Sequence, residues 1–178
     1  MTLFASTLIT GMILAILGFA VAFRWEKLSK PLQAFPRSKN AALITMTIGG
    51  VWFLSHILKL GFADFGQYRN YLFVGFAALG LASFRYAPDF LAVRGLSIII
   101  LLSGGTILDS AYRQEPTSRL LLVSITYVLI AIAIWLGSNP YKMRDFLSWM
   151  AKSSKNRKMI GYLSLIYGLT LTFISFTY

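Results

Sequence analysis

The stretch AALITMTIGGVWFLSHILKLGFAD, Ala41 to Asp64, decides the fold. It is long and apolar enough to cross a bilayer, since about 20 mostly apolar residues span roughly 30 Å of hydrocarbon. Yet it holds the only histidine of the chain, His56, and Lys59 one helical turn further on. A charge deep in a membrane helix costs about 2.5–3.5 kcal/mol on insertion scales, so such residues face a partner, a cavity or the interface.

The rest of the chain repeats the pattern. Of its 178 residues 57% are apolar and 13% charged, and the mean hydropathy is +0.67, more apolar surface than a soluble domain can bury. Six stretches have the character of transmembrane helices: residues 2–23, 41–63, 68–86, 91–111, 120–137 and 159–178. The expected fold is all-α, a single polytopic membrane domain over residues 1–178. There are no cysteines, which excludes disulfides, thiolate metal sites and a cysteine nucleophile. No cofactor and no metal site is expected.

The first span ends at Arg24, and its Ala20-Val21-Ala22 tail resembles a signal-peptidase site. The positive n-region of a signal peptide is missing, so a retained helix is expected. Gly11, Ala15, Gly18 and Ala22 form small-xxx-small pairs that suit close packing of another helix. A basic loop, residues 24–40, follows; Pro31 and Pro36 should break any long helix there. A second basic segment, residues 138–158, contains Met143, Phe146, Leu147 and Met150 at i, i+3, i+4 and i+7, with Trp149 near the edge. That spacing predicts a short amphipathic helix in the membrane interface before the last span.

Topology follows from charge. With the amino terminus outside, the inner loops hold thirteen of the seventeen Lys and Arg, and loops 24–40 and 138–158 are cytoplasmic. The net charge of +11 is then explained by topology and by anionic lipid headgroups, and nucleic acid is not an expected partner. The expected location is the inner (plasma) membrane. No internal inverted repeat is visible.

Two clusters are candidates for chemistry. Gly49, Trp52, His56, Lys59 and Ala63 share one face of the second span, whereas Val51, Leu54 and Leu58 point elsewhere and can meet lipid. At 1.5 Å per residue Lys59 lies about 10 Å, and Asp109 of the fourth span about 11 Å, toward the outside from the middle of each span. Lys59 and Asp109 can therefore pair, with His56 beside them. Three readings stay open: snorkelling to the interface, a structural ion pair, or an ion or substrate path. Gly49-Gly50 and Gly104-Gly105 would suit close backbone approach or a local break.

At the cytoplasmic side Arg85, Asp89 and Arg94 could hold a lipid phosphate, or Asp89 could merely balance two topology-setting arginines. Lys142, Arg144 and Trp149 are further candidates for headgroup contact. Six spans with Ser103-Gly104 in the fourth faintly resemble rhomboid intramembrane proteases. Leu101 stands where their pattern needs glycine, and the sixth span has no histidine, so no catalytic role follows. The reading that fits is a non-enzymatic accessory, scaffold or assembly subunit, partnered by other membrane subunits or by its own copies. The alternatives are a small transporter or channel past His56, Lys59 and Asp109, and a lipid-modifying enzyme.

Overall fold

The computed structural model describes residues 2–178; Met1 lies outside the described residues. They form eight α-helices joined by turns: α1 Leu3–Phe23, α2 Trp25–Ala34, α3 Lys39–Ile57, α4 Arg69–Tyr86, α5 Leu91–Ala111, α6 Arg119–Ser138, α7 Tyr141–Lys152 and α8 Ser154–Ser175. The fold is all-α. Five helices, α1, α3, α5, α6 and α8, are long and apolar enough to cross a membrane.

The chain divides into two compact units. The first comprises Met1–Gln33, Ser103–Ile132 and Arg144–Tyr178. Its axis is the pair α1 and α8, which run antiparallel: Phe4 meets Phe176 edge to face at 5.9 Å, and at the other end Phe23 meets Tyr162 at 5.6 Å. The approach between them is backbone against backbone. A Cβ added at Gly11 would lie 2.7 Å from Thr172 Oγ1 and 2.9 Å from the Gly168 carbonyl oxygen, so only a residue without a side chain fits. The small-residue stripe read from the sequence is this contact, met on α8 by Gly161 and Gly168. Ser164 closes it by donating from Oγ to the Leu14 carbonyl at 2.9 Å. Leu3, Ala111, Leu122 and Leu171 form the buried core of the unit, with Leu14, Ile107 and Tyr167 packed against it. The Tyr167 hydroxyl donates to the Leu121 carbonyl at 2.8 Å, which satisfies a polar group amid apolar neighbours.

The second unit comprises Ala34–Leu102 and Ala133–Met143. Here α3 and α5 run in the same direction: Thr45 Oγ1 donates to the Ala92 carbonyl at 3.1 Å, and four residues further along α3 a Cβ at Gly49 would meet Ile98 Cγ2 at 3.2 Å. Between these two parallel helices the chain returns along α4, antiparallel to α3, with Phe53 and Phe76 edge to face at 5.2 Å. The core of the unit is small, built on Ala42, Leu91 and Ala92.

Several element bounds differ from the sequence reading. The second helix starts earlier and stops at Ile57, so the apolar sequence continues past the helix into turns over residues 58–68. The basic loop 24–40 is not wholly irregular, because α2 forms in it with Pro31 inside. Its apolar side chains Trp25, Leu28 and Leu32 recur at i, i+3 and i+7, and Trp25 is buried. Helix α7 matches the predicted amphipathic segment, and α8 begins before residue 159.

Candidate functional site

The polar cluster read from the sequence is divided between the two units. Trp52, His56 and Lys59 belong to the second and Asp109 to the first. In α3, Trp52 and His56 share a face, their rings 6.4 Å apart. His56 Nδ1 lies 3.0 Å from the Trp52 carbonyl oxygen. A carbonyl can only accept, so Nδ1 carries the hydrogen and donates; a neutral ring then offers Nε2 as an acceptor. His56 is exposed, and this bond to its own helix fixes the ring without any second side chain.

Lys59 lies beyond the end of α3, not one turn inside it. Its backbone N–H donates to the His56 carbonyl at 3.0 Å in the closing turn, and its side chain is exposed. Asp109 is exposed in the last turn of α5. That is the end of a helix where the macrodipole disfavours a carboxylate, so a nearby cation or water suits it.

The predicted face of α3 is mixed in character. Gly49 packs on Gly95 and Ile98, whereas His56 faces outward. Val51 and Leu58 are exposed as expected, but Leu54 lines a groove with α4. Of the paired glycines, Gly49 and Gly104 give close approach, the latter to Ile130, and both helices run through unbroken.

Arg85, Asp89 and Arg94 occupy three different settings. Arg85, in the last turn of α4, lines a cavity together with Arg37 and Lys39. Asp89 is exposed in the turn after α4, and Arg94 sits half-buried in the first turn of α5. Arg37 and Lys39 were not singled out from the sequence. Their signal was their place on either side of Ser38, which caps α3 by accepting from Ala41 N at 3.2 Å.

On α7, Leu147 and Met150 are buried, while Phe146 and Trp149 stack with centroids 6.0 Å apart on an exposed face. Trp149 thus belongs with Phe146. Arg144 pairs with its neighbour Asp145, Nη2 to Oδ1 at 2.8 Å, and Lys142 lies over the Tyr141 ring at 5.5 Å. A comparable basic–aromatic contact holds α2: the Arg157 guanidinium lies over the Trp25 ring at 5.4 Å.

Among the described residues no group of three His, Cys, Asp or Glu is placed to hold a metal ion. Comparison with protein-family models, curated proteins and solved structures finds no match for this chain.

Proposed function

We propose that the chain is a six-span inner-membrane protein that acts through contact, as an accessory, scaffold or assembly subunit of a larger membrane complex. The observation that carries this reading is α4. None of its residues is buried, and Tyr71, Val74 and Leu81 are 79%, 66% and 74% exposed along one side. It also bears Arg69 and Arg85 at its ends and falls outside the five helices apolar enough to cross a membrane alone. A helix of marginal hydropathy with an uncovered face gains most from a neighbouring helix. Gly75 and Ala78 lie exposed on it, small enough for close approach.

The helix directions support six crossings. Parallel α3 and α5 require an intervening return, which α4 provides with its 18 residues, about 27 Å of helix. Antiparallel α1 and α8 fit an even total if both cross, whereas five spans would make them parallel. With the basic segments inside, α2 and α7 lie in the cytoplasmic interface beside anionic headgroups. Phe62, Phe65 and Tyr68, 93%, 71% and 51% exposed in the turn after α3, then take the position of an outer aromatic belt.

The test is a photo-crosslinking residue at Val74 or Leu81 in native membranes, followed by isolation in mild detergent. Adducts of discrete mass and a defined larger assembly are expected. An isolated chain without discrete adducts, or one that transports a solute by itself in liposomes, would overturn the proposal.

A further inference from the structure

At the start of α3 and the end of α4 the second unit holds a cavity of about 520 Å³. Three cations line it, Arg37, Lys39 and Arg85, and no carboxylate does. Asp64 and Asp89, the acids of this unit, form no ion pair with them. Arg37 is steadied by the Phe90 ring, 5.5 Å from its guanidinium carbon. The amino end of α3 adds the positive pole of a 19-residue helix, with no acid in its first turn. Exposed like charges side by side in one concavity with no carboxylate in its lining favour an anion, and arginine with lysine suits phosphate oxygens.

A second cavity, about 350 Å³ and almost wholly apolar in its lining, lies along the same two helices. It is bordered by Met46, Gly50 and Phe53 on α3 and by Phe76, Gly80 and Ser83 on α4. Leu43 at the charged cavity and Met46, Gly50 and Phe53 here form one helical stripe, i, i+3, i+7 and i+10. The stripe is about 15 Å long, half of the roughly 30 Å hydrocarbon core and thus the depth of one leaflet. A Cβ added at Gly50 or at Gly80 would meet nothing within 4 Å, so the groove is open where these glycines stand.

A cationic head end continued by an apolar groove one leaflet deep fits one class of molecule. We infer that the groove between α3 and α4 seats an anionic phospholipid of the inner leaflet, its phosphate among Arg37, Lys39 and Arg85 and one acyl chain along Gly50, Phe53, Phe76 and Gly80. The inference rests on the proposed six-span topology, with the end of α4 inside, and is independent of the chain's role as a subunit. A free phosphate compound would satisfy the cations but leave the groove unfilled.

Native mass spectrometry of the full chain in detergent, titrated with phosphatidylglycerol or phosphatidylcholine, tests it. Phosphatidylglycerol should be retained preferentially, and the double variant Arg37→Gln/Arg85→Gln should weaken it roughly 30-fold, at roughly fivefold per cation. Arg69→Gln/Arg113→Gln, which removes the same charge elsewhere, should not. Gly80→Leu places a side chain into open space and should weaken retention of the diacyl lipid. Because it leaves the charges intact, it also decides the matter if the glutamine variants fail to fold. Equal retention of the two lipids, equal loss in the two charge variants, unchanged retention in Gly80→Leu, or displacement by glycerol phosphate at the concentration of the lipid would each overturn the inference. None of these outcomes bears on whether a larger assembly is isolated.

Discussion

At Gly18 and Gly168 the chain leaves no room for a Cβ: an added atom would touch the backbone nitrogens of Leu165 and Ala15 respectively. Gly18→Leu should therefore destabilise the fold by at least about 1–3 kcal/mol, the usual cost of overpacking, and more if α1 and α8 must separate. Gly50→Ala, with nothing within 4 Å of the new atom, should not destabilise and should gain up to about 1 kcal/mol, the advantage of alanine over glycine inside a helix. Denaturant unfolding in a fixed detergent compares the two, and equal effects would refute the close-packed register. For Lys59 and Asp109 the decisive experiment is a charge exchange. If they pair, Lys59→Asp and Asp109→Lys should each lower folded yield and the double exchange should restore it; if each merely meets water or headgroups, the effects should add. The small-residue stripe of α1 was legible in the sequence because glycine and alanine at i, i+4, i+7 and i+11 have few uses other than close approach. Of the groove cations only Arg85 was singled out from the sequence; its company was not legible. Arg37 and Lys39 lie far from Arg85 in the chain, and only the antiparallel return of α4 along α3 brings them to one cavity.

Among the elements, α7 was readable and α2 was not, although both are short and amphipathic. The apolar spacing of α7 is uninterrupted, whereas Pro31 falls within that of α2 and masks Trp25, Leu28 and Leu32 as a loop. A proline removes one hydrogen bond and typically costs about 3 kcal/mol in a helix interior, and α2 nonetheless forms with its Trp25 buried beneath the Arg157 guanidinium. Trp25→Ala should accordingly cost about 3 kcal/mol or more of stability, while Trp149→Ala, on the exposed face of α7, should change it by about 0.5 kcal/mol or less. Thermal unfolding of the two variants in one detergent checks the contrast, and an equal loss would mean that α2 is not docked through its tryptophan. The end of α3 was hidden for a different reason. Hydropathy registers an apolar run and not a helix, and Leu58, Leu60 and Phe62 keep the run apolar around Lys59 while the backbone leaves the helix. Gly66 N then donates to the Gly61 carbonyl at 2.9 Å, and Phe65 adopts φ 63° in the left-handed region.

On the scale of the whole molecule the open quantity is the number of crossings, and the direction of packed helices constrains it more tightly than hydropathy does. A length-and-composition criterion selects five helices and omits α4. Five crossings would send α3 and α5 in opposite directions and α1 and α8 in the same one; the packing contacts within each unit run the other way. The proposed crossing by α4 is consistent with both pairs and keeps all of the more apolar helices in the membrane. Because the chain has no cysteine, single introduced cysteines report the topology without background. On the proposed topology, Gln67→Cys, before α4, and Thr117→Cys, before α6, should react with a membrane-impermeant maleimide added to the periplasmic side. Ala87→Cys, just past α4, and Lys152→Cys, at the end of α7, should react only after the inner membrane is permeabilised. Labelling of Ala87→Cys from the outside would leave α4 on the periplasmic side, and with it would fall both the even count of crossings and the placement of Arg85 beside the inner leaflet.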